Sequence, residues 1–317
     1  MRNFLKGINV VKLSMAKRSA LAIFLGVAIL LTGCSGSKKA EDSTPSSTSV
    51  PEALSPNLTT IATAKGEKIR VLTSLPAGTS TSTTIADSAI SPTTTAVPGT
   101  PVANLPAIPR KNLNSAGVRV VDGGYEYDNP TYYKNPLVFQ VLEQQGAWLK
   151  VLLPARPNHQ TGWVETKDVT LSFTNYRMQL DLSTYTLRVF QDDSMVFEAQ
   201  SVIGLDGTKT PTGHFFVTEK IPQNPTTGIY GTWVVATNGY SDSIDLFNGG
   251  LPVIALHGTN DPKLIGSKAS NGCVRMSNDS INWIADRIPA GTPIDIYATT
   301  PSWWAPVVPT TSTVAAR

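Results

Sequence analysis

Residues 253–276 read V-I-A-L-H-G-T-N-D-P-K-L-I-G-S-K-A-S-N-G-C-V-R-M and contain two of the scarcest side chains in the protein. His257 is one of three histidines, and Cys273 is one of two cysteines. An apolar run typical of a strand leads into His257, and a glycine-containing turn precedes Cys273. A histidine within hydrogen-bond reach of a thiol can take its proton near neutral pH, so the pattern indicates a nucleophile and its base. The spacing alone leaves a disulfide, a metal ligand and a buried core thiol open.

The N-terminus has the pattern of an export signal. Residues 1–33 hold five basic and no acidic side chains, and residues 20–31 form an apolar run that is short for a transmembrane helix. The L-T-G-C sequence that ends in Cys34 resembles the bacterial lipobox, which implies lipidation of this cysteine. We therefore expect a signal peptide starting at Met1 or Met15, and an exported cell-membrane lipoprotein that faces the cell wall. An uncleaved signal anchor with a buried Cys34 is the alternative.

The charge balance argues against nucleic-acid binding. The chain has 26 basic and 23 acidic residues, and loss of the five basic residues of the signal leaves 21 basic residues and a net charge of −2. This balance does not favour the clustered Lys/Arg face that nucleic acids require. If Cys34 carries lipid, Cys273 has no disulfide partner, and an unpaired cysteine in an exported protein is a candidate nucleophile. Three scattered histidines and one thiol do not form a recognisable metal site, so we expect no metal and no cofactor.

The first half of the mature chain is predicted to contain a tether and a small β domain. Residues 34–57 are rich in Ser, Thr, Pro, Lys and Glu, which predicts a disordered tether. Short strand-like runs over residues 58–172, with a low-complexity insertion at about 77–106, resemble a bacterial SH3-like β-barrel. Such a domain could act as a spacer or contact the wall, or it could only pack against its neighbour.

A second, mainly β domain is predicted over residues 175–298. Alternating apolar residues over 176–202 indicate a β-meander, and residues 293–298 indicate a closing strand. Apolar residues recur at positions 281, 284, 285 and 288, which predicts one short helix capped by Ser277 or Asn278.

Two further segments of this region lack the alternating apolar pattern of the strands. Residues 228–250 are long and rich in Gly, Ser and Asn, so we expect a hairpin-like lid over a site. Tyr230 and Trp233 in this segment are candidate substrate-binding residues, although Trp233 is equally suited to the core. Residues 299–317 are expected to form a loose C-terminal tail.

Several motifs of the second domain occur together. They are D-L-S at 181–183, Gly204, T-P-T-G at 210–213, H-G-T-N-D at 257–261 and S-N-G-C-V-R-M at 270–276. Together they resemble the catalytic domain of L,D-transpeptidases, and the preceding barrel is similar to the two-domain form found in actinobacteria. A Ser-x-Gly-Cys-Val-Arg run after His-Gly-Thr is specific, whereas a lone Cys or His would be a weak signal. The resemblance implies a β-sandwich-like fold with one or two short helices, and peptidoglycan as the substrate.

The resemblance also implies acyl transfer through a thioester. Cys273 would attack the carbonyl of the third residue of a donor stem tetrapeptide and release the terminal D-alanine, and the amine of an acceptor stem would complete a 3→3 cross-link. His257 would transfer the protons. Many family members have histidine where this chain has Asn271, so His257 is the only plausible base.

Supporting roles follow from the same resemblance. The carbonyl of Gly258 would orient the imidazole, and backbone N–H groups around Asn271, Gly272 and Cys273 would stabilise an oxyanion. Ser270 could hydrogen-bond near the nucleophile or cap the turn. Arg275 could hold the carboxylates of the substrate or brace its loop through a salt bridge.

The predicted function is therefore a peptidoglycan L,D-transpeptidase. L,D-carboxypeptidase action, with water as the acceptor, is one alternative, and a non-catalytic wall-binding lipoprotein is another. The expected partners are donor and acceptor stem peptides, the membrane through Cys34, and carbapenem-type inhibitors that acylate Cys273. A catalytic thiol is also expected to titrate below the ordinary cysteine pKa of about 8.5.

Overall fold

The computed structural model describes residues 58–79 and 117–302, which are mainly β. The predicted signal peptide, the tether with Cys34, most of the predicted insertion and residues 303–317 lie outside these described residues. No helix in the described part of the chain is long and apolar enough to cross a membrane.

Eight antiparallel strands form the first sheet. In chain order they are β1 (Thr59–Ala64), β2 (Lys68–Leu72), β3 (Val118–Val121), β4 (Gly124–Asp128), β5 (Val138–Gln145), β6 (Trp148–Leu152), β7 (Thr161–Glu165) and β8 (Val169–Thr174). Their order across the sheet is β3-β4-β2-β7-β6-β5-β1-β8. Tyr127 and Phe139 are fully buried in its core and meet edge to face, with ring centroids 5.6 Å apart. The SH3-like assignment of this region stays a prediction.

Eight more strands form the second sheet. They are β9 (Tyr176–Asp181), β10 (Thr186–Gln191), β11 (Ser194–Gln200), β13 (Gly213–Pro222), β14 (Trp233–Tyr240), β15 (Val253–His257), β17 (Val274–Arg275) and β18 (Pro293–Tyr297), and the short strands β12 (Ile203–Gly204) and β16 (Lys268–Ser270) pair separately. The order of the eight strands across the second sheet is β11-β10-β9-β18-β13-β14-β15-β17. The predicted meander is confirmed as β9 to β11, and the closing strand as β18.

One α-helix among the described residues, α1 (Asn278–Arg287), packs on the second sheet. The Ser277 hydroxyl accepts a hydrogen bond from the Ser280 N–H, so Ser277 is the N-cap. The apolar stripe predicted from the sequence is buried, at Ile281, Ile284, Ala285 and Ile288. Each buried isoleucine contributes about 2 kcal/mol of transfer free energy, so this stripe fixes the helix on the sheet.

The prediction of one lid over residues 228–250 is wrong in its central part. Trp233–Tyr240 is β14, which lies between β13 and β15 in the second sheet. Its residues Val235 and Ala236 are buried, as expected for an interior strand. The Gly and Asn residues that suggested a loop lie at the far end of this strand, where pairing with β15 is irregular.

The two sheets are joined through a buried contact. Phe216 of β13 packs in a cluster with three buried residues of the first sheet: Ile61, Val138 and Leu152. The side chain of Asn238 accepts from the Phe216 N–H at 2.7 Å and donates to the Leu153 carbonyl at 3.3 Å. These contacts hold elements of the first sheet in a fixed position against the second.

Candidate active site

Two neighbouring parallel strands carry the predicted nucleophile and base. β15 and β17 pair with Leu256 opposite Val274 and His257 opposite Arg275. Leu256 and Val274 are buried in the core that contains α1. Because side chains alternate between the faces of a strand, His257 and Cys273 project from the opposite face. The thiol and the imidazole therefore lie diagonally across one strand pair.

His257 is buried as a neutral imidazole. Its Nδ1 lies 2.7 Å from the Gly258 carbonyl oxygen, as the sequence resemblance implied. A carbonyl oxygen can only accept, so Nδ1 carries the proton and Nε2 keeps a free lone pair. Burial lowers the pKa of His257 to about 4, although the hydrogen bond to Gly258 opposes this shift, and the cation of Arg275 adds to it. At neutral pH this side chain is therefore an uncharged base.

Cys273 is a half-buried free thiol that directly precedes β17. Its Sγ lies 3.7 Å from the Val253 carbonyl oxygen. Burial raises the thiol pKa above its ordinary value, although the backbone of Ala255 and the cation of Arg275 oppose the shift. The expectation of a lowered thiol pKa is thus wrong for the free protein, because desolvation outweighs the nearby positive charge. The thiol of the free protein is therefore protonated at neutral pH.

Ser270 and Gly272 set the turn before the thiol. The Ser270 hydroxyl donates to the Cys273 carbonyl at 2.6 Å and accepts from the Gly272 N–H at 3.1 Å. Gly272 has φ +110°, a conformation that favours glycine. Because its N–H is engaged, Gly272 is a poor oxyanion donor. Among the described residues, the N–H groups of Asn271 and Cys273 have no hydrogen-bond partner and remain available for this role.

Thr210 supports this turn from the segment before β13. Its buried hydroxyl donates to the Gly272 carbonyl at 2.8 Å and accepts from the Gly204 N–H at 3.0 Å. A Cβ on Gly204 would lie 2.2 Å from the Thr208 carbonyl oxygen, so only glycine fits there. The T-P-T-G motif and Gly204 therefore hold the turn that carries Cys273.

Arg275 supplies positive charge beside the site. Its guanidinium Nε is buried and has no hydrogen-bond partner within the described ranges. None of the ion pairs between described residues involves Arg275. Arg275 therefore has no salt-bridge partner among the described residues, so they do not support the alternative in which a salt bridge braces its loop.

Most of the second sheet lies in a region that matches a known catalytic domain. Residues 175–296 match the L,D-transpeptidase catalytic domain. We call these residues the L,D-transpeptidase domain.

Two curated relatives and a solved structure are similar to parts of this chain. The chain is 30% identical to the protein named L,D-transpeptidase YkuD in Bacillus licheniformis over 121 residues, which are 38% of this chain and 65% of the relative. It is 25% identical to the YkuD protein of Bacillus subtilis over 151 residues, which are 46% of this chain and 84% of that relative. The chain therefore spans just under two thirds of the first relative. A solved L,D-transpeptidase structure from Mycobacterium smegmatis is 18% identical with a TM-score of 0.31, and the match covers 48% of this chain and 90% of that one.

Tyr230 and Trp233 have different positions in the L,D-transpeptidase domain. The Tyr230 ring meets the His257 ring edge-on, with centroids 5.0 Å apart. Burial raises the pKa of Tyr230, and the charge of a Cys273 thiolate adds to the shift. Trp233 instead packs against the hydrophobic core, and its carbonyl accepts from the Gly258 N–H at 3.3 Å. Its position fits the core alternative.

A polar cleft adjoins the His257 turn at the start of α1. It encloses about 620 Å³ and is lined by Thr226, Thr227, Thr232, Thr259, Asn260, Pro262, Ser277 and Asn278. Asn278 joins its walls, because its Nδ2 donates to the Thr259 carbonyl at 3.3 Å and its Oδ1 accepts from the Thr232 N–H at 3.3 Å. No sequence signal identified Asn278 beyond its place at the start of a predicted helix.

The remaining site predictions concern Asn271, Cys34 and metal binding. Asn271 is exposed at the turn, and its amide cannot accept a proton as a base would. Cys34 lies outside the described residues. The portion of the chain described here contains no group of three or more His, Cys, Asp or Glu side chains that could hold a metal ion.

Proposed function

We propose that this protein is a peptidoglycan L,D-transpeptidase that forms 3→3 cross-links through a thioester on Cys273. One observation carries the proposal: a thiol and a neutral imidazole project from the same face of two paired strands in an L,D-transpeptidase domain. The relatives and the sequence motifs agree with this class of chemistry, and the substrate and the product are inferred from it.

The first half-reaction acylates the enzyme. Cys273 Sγ forms a bond to the carbonyl carbon of the third stem residue, and the thiol proton passes to Nε2 of His257. The oxyanion that develops is stabilised by the free N–H groups of Cys273 and Asn271. Collapse breaks the C–N bond, and the imidazolium returns its proton to the leaving amine of D-alanine.

The second half-reaction transfers the acyl group. The side-chain amine of an acceptor stem attacks the thioester carbonyl, and His257 takes a proton from this amine. The C–S bond then breaks, and the thiolate recovers the proton. A neutral imidazole suits both halves, because it starts each as a base and ends each as an acid. Arg275, which lacks an internal ion-pair partner in the described residues, is assigned to a carboxylate of the substrate.

The test is a reaction of the purified protein with a disaccharide-tetrapeptide. We expect release of D-alanine and a dimer whose cross-link joins the third residues of two stems, both measured by mass spectrometry. The Cys273→Ala variant is the matched control. Release of D-alanine with only tripeptide product would support a carboxypeptidase instead. No reaction at all would support the non-catalytic alternative.

We also propose, from residues 1–34 alone, that the protein is exported and held at the membrane by lipid on Cys34. The motivating observation is the basic, then apolar, then L-T-G-C sequence. We expect Cys34→Ala to move the protein from the membrane fraction to the soluble or unprocessed fraction. A variant that is processed and retained like the unsubstituted protein would contradict the lipid anchor.

A further inference from the structure

Two adjacent tyrosines stand exposed on a loop of the first sheet. Tyr132 is 77% exposed and Tyr133 is 51% exposed, and their rings meet edge to face with centroids 5.2 Å apart. The loop connects β4 to β5. Two adjacent exposed rings can bury a large apolar area when they bind a partner.

This loop is fixed to the second sheet by a buried carboxylate. Glu219 of β13 is 2% exposed, and its Oε2 accepts from the Thr131 hydroxyl at 2.7 Å and from the Asn135 amide at 3.2 Å. The loop also closes on itself, since the Thr131 N–H donates to the Asn135 carbonyl at 2.9 Å. A buried, hydrogen-bonded carboxylate is costly to release, so the two tyrosines keep a defined position.

The strand register gives the distance between Glu219, which holds the loop, and Cys273. Glu219 pairs with Ala236, and Ala236 pairs with Ala255. Since Leu256 pairs with Val274, Ala255 lies beside Cys273. Cross-strand partners share a face, so Glu219 and Cys273 lie on the same face, three strand spacings or about 14 Å apart.

Tyr230 lies beside the proposed base. Its ring meets the His257 ring edge-on, with centroids 5.0 Å apart. The loop that carries Tyr132 and Tyr133 is held by Glu219, so it is attached to the same face of the second sheet from which His257 and Cys273 project. No sequence signal places the two regions together, because the anchoring hydrogen bonds join residues 84 and 88 positions apart.

We propose, on the basis of the function proposed above, that Tyr132 and Tyr133 bind pyranose rings of the glycan strand that carries the donor stem. The attacked carbonyl belongs to the third stem residue, and three extended residues reach roughly 10 Å back from it. This reach is comparable with the separation of about 14 Å between Cys273 and Glu219, the residue that holds the loop. The C–H faces of a pyranose ring are apolar and pack on aromatic rings, while tyrosine hydroxyls remain free for the sugar hydroxyls.

The experiment compares two donors that share the peptide and differ in the sugar. The rate of D-alanine release is measured with a disaccharide-tetrapeptide and with the free tetrapeptide, for the unsubstituted protein and for the double variant Tyr132→Ala/Tyr133→Ala. We expect the variant to raise KM for the disaccharide-tetrapeptide about tenfold, with kcat unchanged, and to leave KM for the free tetrapeptide unchanged.

Controls separate ring stacking from a general loss of structure. Phe173→Ala, at an exposed aromatic of β8 in the same sheet, is expected to change neither KM. The conservative Tyr132→Phe/Tyr133→Phe variant is expected to keep most of the affinity. Equal losses with both donors, or no loss with either, would overturn the proposal.

A second measurement keeps this proposal separate from the proposed function. If the unsubstituted protein turns over neither donor, the proposed function fails, and binding then tests the tyrosines alone. Calorimetry with the disaccharide-tetrapeptide and the Cys273→Ala protein is expected to show binding that weakens about tenfold when both tyrosines are alanine. Unchanged binding would overturn the tyrosine proposal.

Discussion

Cys273→Ala is expected to lower cross-link formation and D-alanine release by at least about a thousandfold. The covalent route has a single nucleophile, since Cys273 is the only cysteine among residues 58–79 and 117–302. The fold should persist, because removal of one sulfur atom from a half-buried position costs only about 1 kcal/mol. Product analysis by mass spectrometry and a thermal melt of each protein measure the two effects separately.

A matched substitution in the same turn is the control for the Cys273→Ala result. Asn271→Ala alters an exposed neighbour and leaves the backbone N–H groups in place, so it is expected to keep most of the activity. Retention of more than about a tenth of the activity by Cys273→Ala would exclude the thioester route.

His257→Gln is expected to lower activity by about 10²- to 10⁴-fold, the contribution of a positioned general base. Glutamine is close to histidine in size and remains polar, so the change removes the proton acceptor with little disturbance of packing. The rate of D-alanine release at neutral pH measures the loss. A variant with near-normal activity would show that another group accepts the thiol proton.

The same substitution is expected to alter acid stability. The pKa of His257 is about 4 in the folded protein and 6.5 for an unperturbed histidine. As pH falls from about 6.5 to 4, the unfolded chain binds a proton that the folded protein does not, so the free energy of unfolding decreases by up to about 3 kcal/mol. The His257→Gln melting temperature should therefore fall less between pH 7.5 and pH 4.5. The unsubstituted protein, melted at the same two pH values, is the reference for this comparison.

Alkylation of the thiol distinguishes two resting states. Burial raises the Cys273 pKa and lowers that of His257, so both groups are neutral before substrate binds. Alkylation should therefore have its midpoint above pH 8.5 in the unsubstituted protein and in His257→Gln alike. A midpoint below pH 7 that is lost in the variant would indicate a preformed thiolate and imidazolium pair.

Local patterns in the sequence predict much of the second sheet. The alternation of apolar residues reflects one buried face, so β9 to β11 and β18 follow from it directly. The helix can also be predicted from the sequence, because Ser277 caps it and Ile281 and Ile284 recur at the helical period. The order of motifs also locates the turn that carries the thiol. All these features depend on residues close together in the chain.

Other features depend on contacts between distant residues and could not be predicted in this way. Gly and Asn residues near the end of β14 mask the apolar run that makes it an interior strand, so the sequence favours a lid at this position. The engagement of the Gly272 N–H by Ser270 follows from turn geometry rather than composition. The thiol pKa depends on how completely the surrounding strands exclude water, which no motif encodes. The attachment of the tyrosine loop to β13 depends on Glu219, which lies 88 positions from Thr131 in the sequence.

The thioester is tested most directly by the intact mass of the protein after incubation with a disaccharide-tetrapeptide in the absence of an acceptor, and separately with a carbapenem. The account predicts an adduct on Cys273 that equals the donor minus D-alanine in the first case and the whole carbapenem in the second, with neither adduct on Cys273→Ala. An unmodified protein under both conditions, or an adduct on any other residue, would contradict it.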